Sequence, residues 1–180
     1  FTTKTVKRVG GSGTESFESL NTGAELGLFS LNAIAKGENK IFFRTYDGIY
    51  SMTSSGYPVK ITIDIDPLFH GELIDEQPSL VAVDDSYSAS ERLEYFDSKL
   101  RFSYTGTDGV RYELIRDFET DRWEQTDIGA ISYLRLDDVG QIYAARGDGY
   151  VYIIDDGLTD EGTNIDIAWQ TKFFDQGMPD

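Results

Sequence analysis

The sequence contains three Asp-Gly pairs in nearly the same setting. They are Asp47-Gly48, Asp108-Gly109 and Asp148-Gly149, and each lies between two segments rich in β-branched and aromatic residues. An Asp-Gly pair between such segments is the strongest short-range signal for a β-hairpin, because a type I′ turn needs positive φ at both central residues. The sequence therefore predicts three hairpins, with these six residues as their structural turns.

The spacing of the hairpins indicates a repeat. The later two Asp-Gly pairs begin 40 residues apart and the earlier two begin 61 residues apart. A period of about 40 residues is typical of a four-stranded propeller blade, and the longer interval then holds one blade plus an insertion at residues 64–87. We therefore expect an all-β fold, a partial β-propeller of about three antiparallel blades, with a β-sandwich built from the same hairpins as the alternative.

Strand patterns surround each hairpin, and helical patterns are nearly absent. Leu100, Phe102 and Tyr104 alternate with Arg101 and Ser103, which predicts a strand with one buried face. The predicted strands cover residues 28–35, 40–46, 59–63, 92–96, 99–104, 122–126, 130–136, 141–145, 150–154 and 165–174. The best helical window, residues 84–97, predicts only one or two turns.

Composition along the chain predicts three parts. Residues 1–23 are rich in Ser, Thr and Gly and form a flexible or edge-strand segment; residues 24–174 form the propeller-like domain; residues 175–180 form a truncated junction. Three blades do not close a propeller, since closed propellers have about four to eight. Because the chain begins with Phe1 and not with Met, we interpret it as a fragment of a longer protein.

The charge and the residue types exclude several function classes. Asp and Glu number 32 against 16 Lys and Arg, and the net charge of −16 argues against nucleic acid and anionic membranes as partners. The chain has no Cys and one His, which excludes disulfides, thiolate zinc sites and sites with two imidazoles. No segment approaches the roughly 18 consecutive apolar residues of a membrane span.

Carboxylates are the remaining candidates for chemistry. Asp155, Asp156, Asp160 and Glu161 form the densest acidic cluster, and hard oxygen ligands suit Ca²⁺. The cluster lacks the spacing of a calcium loop, and Asp favours turns because it bonds its own backbone. We predict no catalytic residue, no cofactor and no bound metal, with Asp155, Asp156 and Asp160 as the candidate ligands should calcium bind.

Three further features have structural explanations. Arg146-Gly147-Asp148 spells the integrin-binding tripeptide, yet it coincides with the third predicted hairpin. His70 is predicted to be a hydrogen-bonded turn residue, since no second His or Cys accompanies it. Trp123 is predicted to pack in the core between sheets, although an aromatic ring at a blade end can also stack on a sugar.

Several segments resemble a known family. Residues 40–63 carry the first hairpin and a Pro-Val-Lys-Ile strand, residues 66–69 read Asp-Pro-Leu-Phe, and residues 118–124 form a turn with Trp. With the chain end at residues 169–180, they resemble segments of the propeller-type virion proteins of tailed bacteriophages, which include the tail-hub or stabilisation proteins of short-tailed phages. The resemblance covers the chain from about Leu26 onward.

The resemblance implies a non-enzymatic structural component of a phage particle, at the tail or the head-to-tail junction. Such a component is assembled in the host cytoplasm, resides in the virion, and contacts other virion proteins or copies of itself. The family offers no catalytic residues. The alternative is a carbohydrate-binding or host-receptor-binding β module. A third hypothesis is a glycoside hydrolase that uses paired carboxylates, because the first two Asp-Gly turns faintly resemble the Asp-box of sialidases.

Overall fold

The chain folds into an all-β structure of antiparallel sheets, and this part of the fold prediction is confirmed. A computed structural model describes residues 5, 7–10, 18–21, 26–53, 56–74, 79–155, 159–160 and 163–164. Three of the sheets, which we name sheets I, II and III, are meanders in which each strand pairs with the next strand along the chain. The described residues therefore form three successive meander sheets.

Two short hairpins flank the three sheets. The first consists of β1 (Lys7–Gly10) and β2 (Glu18–Asn21). Sheet I consists of β3 (Ile34–Gly37), β4 (Lys40–Thr45), β5 (Gly48–Thr53) and β6 (Val59–Lys60). Sheet II consists of β7 (Arg92–Phe96), β8 (Lys99–Thr105), β9 (Arg111–Asp117) and β10 (Arg122–Thr126). Sheet III consists of β11 (Ser132–Leu136), β12 (Gln141–Ala145) and β13 (Val151–Ile154). The last hairpin consists of β14 (Thr159–Asp160) and β15 (Thr163–Asn164).

The three sheets are stacked in chain order, and their first strands lie next to one another: β3 beside β7, and β7 beside β11. We call the face that a sheet turns toward the next sheet its forward face, and the opposite face its rear face. The forward face of sheet I packs on the rear face of sheet II, and the forward face of sheet II packs on the rear face of sheet III.

The interface between sheets I and II is the main apolar core. Phe42 of β4 stacks on Tyr95 of β7, with ring centroids 5.4 Å apart. Phe102 stacks in turn on Tyr104 at 5.4 Å and contacts Phe69 at 5.8 Å. All five aromatic side chains are buried, so this interface supplies most of the hydrophobic stabilisation of the described structure.

The interface between sheets II and III is polar where the first one is aromatic. Arg101, Ser103 and Glu113 lie on the forward face of sheet II and are fully buried. The prediction that β8 buries one face is therefore wrong, because sheet III covers the face that carries Arg101 and Ser103. A strand in a middle layer is buried on both faces, so alternation does not reveal its exposure.

Asp108-Gly109 and Asp148-Gly149 lie in the loops that join β8 to β9 and β12 to β13, whereas Asp47 lies in the loop after β4 and Gly48 is the first residue of β5. The predicted type I′ geometry is wrong, since only the glycines have positive φ: 142° at Gly48, 80° at Gly109 and 87° at Gly149. In the second loop Gly109 N donates to Gly106 O at 2.9 Å, and in the third Gly149 N donates to Arg146 O at 3.2 Å. A turn followed by a left-handed glycine is the usual three-residue hairpin loop.

The aspartate carboxylates form the local hydrogen bonds of the second and third loops. Asp108 accepts hydrogen bonds from Val110 N at 2.9 Å and from the Tyr112 hydroxyl at 2.7 Å. The Tyr112 bond and then the Val110 bond hold the pKa of Asp108 below its ordinary value. The third loop repeats both bonds at 2.9 and 2.8 Å. Its equivalent residues are Asp148, Tyr150 and Tyr152.

Other predicted boundaries need correction. Residues 28–33 precede β3 as irregular chain, because Phe29 N and Ala33 N bond Arg44 O and Ser30 O. The strand predicted at 59–63 ends at Lys60, since a 3₁₀ segment starts at Ile63. The helical turns expected within residues 84–97 reduce to the 3₁₀ segment at Asp85–Ser90, and β7 follows at once.

The connection between sheets I and II contains the two 3₁₀ segments, Ile63–His70 and Asp85–Ser90. The insertion predicted at residues 64–87 falls within this connection. The strand predicted at residues 165–174 lies outside the described residues, as does the junction at residues 175–180.

Candidate functional site

A cavity of about 510 Å³ lies where the first hairpins of the three sheets meet. The ends of β3, β7 and β11 and the turns that follow them form its walls. The charged residues that line it are Lys36, Glu38, Asp97, Arg135 and Asp137. Each sheet contributes at least one carboxylate, so the cavity is polar and slightly acidic. We call it the three-hairpin cavity.

Arg135 joins the three sheets at this cavity. Its guanidinium donates to Tyr95 O of sheet II at 2.9 Å and to Lys36 O of sheet I at 3.4 Å. It also meets Asp137 at 2.8 Å and Glu94 at 3.6 Å. Because its charge is matched by these two carboxylates, Arg135 fastens the sheets together and is not available to an anionic ligand.

A second charged group is buried beside the connection. The guanidinium of Arg44 lies between the rings of Phe29 and Phe69, at 5.1 and 4.7 Å from their centroids. It meets Asp85 at 2.7 Å and Glu91 at 3.6 Å. Burial raises the pKa of Glu91 to about 7 against the attraction of Arg44, and burial likewise lowers the pKa of Arg44 despite both carboxylates.

Glu91 is the described carboxylate whose protonation changes near neutral pH. Such a pKa is a common property of catalytic acids and bases. Its side chain, however, is 1 % exposed, and it does not line the three-hairpin cavity. The arrangement therefore keeps the charged pair buried within the fold, and Glu91 does not face the cavity where a substrate would lie.

A third charged group lies between sheets II and III. Arg101 pairs with Glu113 at 2.8 Å and with Asp155, and Glu113 accepts a hydrogen bond from the Tyr133 hydroxyl. Burial, followed by the charge of Glu113, raises the pKa of Tyr133 well above its ordinary value. Although burial opposes it, the attraction of Glu113 and Asp155 raises the pKa of Arg101. This network connects β8, β9, β11 and the end of β13.

The network accounts for one of the predicted metal candidates. Asp155 is occupied by Arg101 and lies 3.5 Å from Lys99, two cations that compete with Ca²⁺ for its carboxylate. Asp156 lies outside the described residues, and Asp160 is described only as part of the backbone of β14. Among the side chains that the structure describes, no three acidic or histidine residues are grouped for metal binding.

The other predicted residues are held by neighbours within the fold. The Arg146-Gly147-Asp148 tripeptide forms the third hairpin loop, where both carboxylate oxygens of Asp148 accept hydrogen bonds. His70 ends the first 3₁₀ segment, with Nε2 3.9 Å from a carboxylate oxygen of Asp66. Trp123 packs on the main core, and the guanidinium of Arg116 covers its ring at 5.4 Å.

The first hairpin differs from the other two. Asp47 accepts hydrogen bonds from Thr45 Oγ1 at 2.6 Å, from the Tyr50 hydroxyl at 3.0 Å and from Lys60 Nζ at 3.3 Å. Burial alone would raise the pKa of Asp47, yet these three partners lower it. Burial and then the bond to Asp47 raise the pKa of Tyr50 to about 12. The six turn residues thus stabilise loops through local bonds.

The most unusual surface is the forward face of sheet III, on which no other described sheet packs. Leu134, Tyr143 and Ile153 are directly paired across its three strands. Leu134 is 58 % exposed, Ile153 is 43 % exposed, and the neighbouring Val151 is 64 % exposed. A contiguous apolar row of this kind is a candidate for an interaction site.

Sequence reasoning did not identify this face or the buried charges. The signal for the face was present, because Leu134, Ile153 and Val151 alternate with residues that pack on sheet II. Alternation shows that a strand has two different faces, but it does not show which faces a neighbouring sheet covers.

Neither a scan of protein-family models nor a search of curated proteins finds a match to this chain. In the described part of the chain, no helix combines the length and the apolar character needed to cross a membrane.

Proposed function

We propose that the chain is a non-enzymatic structural component of a phage particle, located at the tail or the head-to-tail junction. In this proposal sheets I, II and III are successive blades of a β-propeller. The protein acts through contacts with other virion proteins or with copies of itself, is assembled in the host cytoplasm, and needs no cofactor.

Two features support the propeller arrangement. Each sheet is an antiparallel meander, and sheets I and II have the four strands of a typical blade. The first strands of the three sheets lie side by side, as the innermost strands of propeller blades do. Sheet III has three described strands.

The forward face of sheet III is the observation that carries the proposal of an assembly role. The corresponding faces of sheets I and II are covered by the next sheet, whereas Leu134, Val151 and Ile153 remain exposed. Covering them with another polypeptide removes apolar surface from water, at roughly 25 cal/mol for each Å². The charged groups that resemble catalytic machinery are instead inside the fold, with Arg44 buried beside the connection and Arg101 buried between sheets II and III.

The phage context is supported by the resemblance of residues 40–63, 66–69 and 118–124 to segments of phage propeller proteins. These segments fall on β4 to β6, on the first 3₁₀ segment, and on the turn between β9 and β10. They are spread over sheets I and II and their connection, so the resemblance spans more than one structural unit.

Incorporation into particles tests this function. A tagged chain is expected to copurify with intact phage particles and to be labelled by immunogold at the tail or at its junction with the head. Leu134→Lys is expected to abolish incorporation, while Leu73→Lys, at a 63 % exposed leucine in the connection, keeps it. A chain that is absent from particles, or equal incorporation of the two variants, contradicts the proposal. Circular dichroism of both variants shows whether each one is folded.

The three-hairpin cavity favours the alternative function, a carbohydrate-binding or receptor-binding module. Its carboxylates, at Glu38, Asp97 and Asp137, are suitable acceptors for sugar hydroxyls, and Phe96 offers a partly exposed ring. A glycan array decides between the two: binding that is lost in Asp97→Asn favours the alternative, and an empty array at high protein concentration contradicts it.

A further inference from the structure

The arrangement of one sheet's forward face on the next sheet's rear face occurs twice in the chain. One forward face and one rear face, at the two ends of the stack, remain without such a partner. Sheet I meets sheet II, and sheet II meets sheet III, in each case forward face against rear face. The forward face of sheet III and the rear face of sheet I remain without a partner sheet in the described structure.

The hairpins show that the two contacts are equivalent residue by residue. The closing pairs of the three loops begin at Thr45, Gly106 and Arg146. Counting three residues back from these positions gives Phe42 in sheet I, Ser103 in sheet II and Tyr143 in sheet III. All three lie on the forward faces of their sheets. Phe42 and Ser103 are buried by the next sheet, but Tyr143 is only partly buried. The third forward face is therefore built like the first two and differs in its exposure.

The rear face of sheet I has the matching character. Ile34 is exposed, and Ile41, Tyr50 and Met52 are half-buried along the same face. Leu28 covers the part of this face around Phe43. Apolar side chains therefore dominate both outer faces, as they do at the interfaces of closed oligomers.

Charge complementarity supports the same pairing. Arg135, on the rear face of sheet III, pairs with Ile142 and reaches Glu94 of the preceding sheet at 3.6 Å. Lys36 pairs with Ile41 in the same way and occupies the equivalent position on the rear face of sheet I, where it is exposed. The position of sheet III that corresponds to Glu94 is Leu136, and Asp137 and Asp138 follow it directly in the turn. The exposed carboxylate of Asp138 in a neighbouring molecule therefore lies within two residues of the position that Glu94 occupies.

We infer that the partner of the forward face of sheet III is the rear face of sheet I in a second copy of this chain. This deepens the proposed function and rests on it. Because the contact joins two different faces, each copy offers both halves, and two copies close into a ring with two identical interfaces. Propellers have about four to eight blades. Two copies give six, whereas one copy gives too few and three copies too many.

Sedimentation equilibrium of the 180-residue chain tests the inference directly. We expect a species of twice 20.2 kDa with a dissociation constant below about 10 µM. Leu134→Lys weakens association by at least about tenfold, because a charge must be buried in the apolar row. Leu73→Lys, exposed in the connection, leaves it unchanged. A monomer at these concentrations, or open oligomers that grow with concentration, overturns the inference.

A charge variant keeps the test decisive if Leu134→Lys fails to fold. Lys36→Glu changes an exposed side chain and is expected to weaken the dimer about tenfold, and adding Asp138→Lys is expected to restore it. Arg122→Glu, the same charge change on exposed β10, leaves dimerisation intact. No effect of Lys36→Glu, or no restoration by the second change, contradicts the inference.

The result is distinguishable from failure of the proposed function. A chain that enters particles but stays monomeric when purified contradicts the second-copy inference alone, and it assigns the face to another virion protein. If the purified chain is a monomer, is absent from particles and loses stability in the Leu134→Lys variant, both proposals are contradicted. The face is then covered by other residues of the same chain.

Discussion

The two interfaces between the sheets share one arrangement but differ in their side chains, since the second combines a small apolar cluster around Ile142 and Ile154 with buried charges. Between sheets I and II lie the stacked rings of Phe42, Tyr95 and Phe102, whereas between sheets II and III lie the Arg101–Glu113 pair and the Tyr133 hydroxyl. Aromatic burial contributes stability without demanding exact partners. A buried ion pair adds little net stability, but it costs several kcal/mol when one partner is lost. The first interface thus holds the molecule together, and the second restricts how sheet III attaches.

The largest predicted effect comes from breaking the aromatic interface. Phe102→Ala is expected to lower the free energy of unfolding by about 4 kcal/mol, because it opens a cavity next to Phe69 and Tyr104. Ile142→Ala, the equivalent position in sheet III, is expected to cost about 3 kcal/mol. Urea denaturation measures both. A greater loss at Ile142 would reverse the ranking of the two interfaces, and Leu73→Ala provides the exposed control.

The second prediction concerns the buried charge next to the aromatic interface. Folding raises the pKa of Glu91 from 4.5 to about 7 because of burial. The stability that protonated Glu91 provides is therefore present below about pH 4.5 and is lost as the pH rises through 7. The difference amounts to about 3 kcal/mol at most.

Glu91→Gln is expected to remove that loss, so its stability falls less between pH 5 and pH 8 than that of the unchanged chain. Urea denaturation at a series of pH values measures the difference. Glu119→Gln, at an exposed glutamate, is expected to keep the original pH profile. Parallel profiles for Glu91→Gln and the unchanged chain would show that Glu91 is ionised throughout.

The third prediction breaks the polar interface. Glu113→Gln keeps the size of the side chain but removes the charge that faces Arg101 at 2.8 Å. We expect a loss of about 2 kcal/mol in the free energy of unfolding, since Asp155 still pairs with Arg101. Glu124→Gln, on the exposed part of neighbouring β10, is expected to have no measurable effect. Equal stability of the two variants would mean that the network does not hold sheet III.

The sequence predicted the parts of the fold that depend on local signals. Strands at residues 122–126 and 141–145 match β10 and β12 residue for residue, because alternation and Asp-Gly turns act over a few positions. The burial of Arg101 was missed, because Asp155, which pairs with Arg101, and Tyr133, which donates to its partner Glu113, lie far along the chain. The exposed face of sheet III was missed for the same reason: exposure depends on which sheets meet.

The smallest predicted effect compares one loop type in two surroundings. The loop of sheet II is packed, because Thr107 N donates to Ala82 O at 2.9 Å and a Cβ at Gly106 would come within 2.6 Å of Val81. The loop of sheet III has no atom within 4 Å of a Cβ at either Gly147 or Gly149. Gly147 and Gly149 therefore differ only in their backbone conformation.

Gly149→Ala is expected to lower the free energy of unfolding by about 1 kcal/mol, because φ is 87° there and an L-residue is strained in that region. Gly147→Ala, two residues earlier and without positive φ, is expected to be neutral or slightly stabilising, since it reduces the freedom of the unfolded chain. Gly106→Ala, in the packed loop, is expected to cost more than either because its Cβ meets Val81. Thermal denaturation ranks the three. If Gly106→Ala were the mildest, the packing of the sheet II loop against the connection would not contribute to the stronger interface.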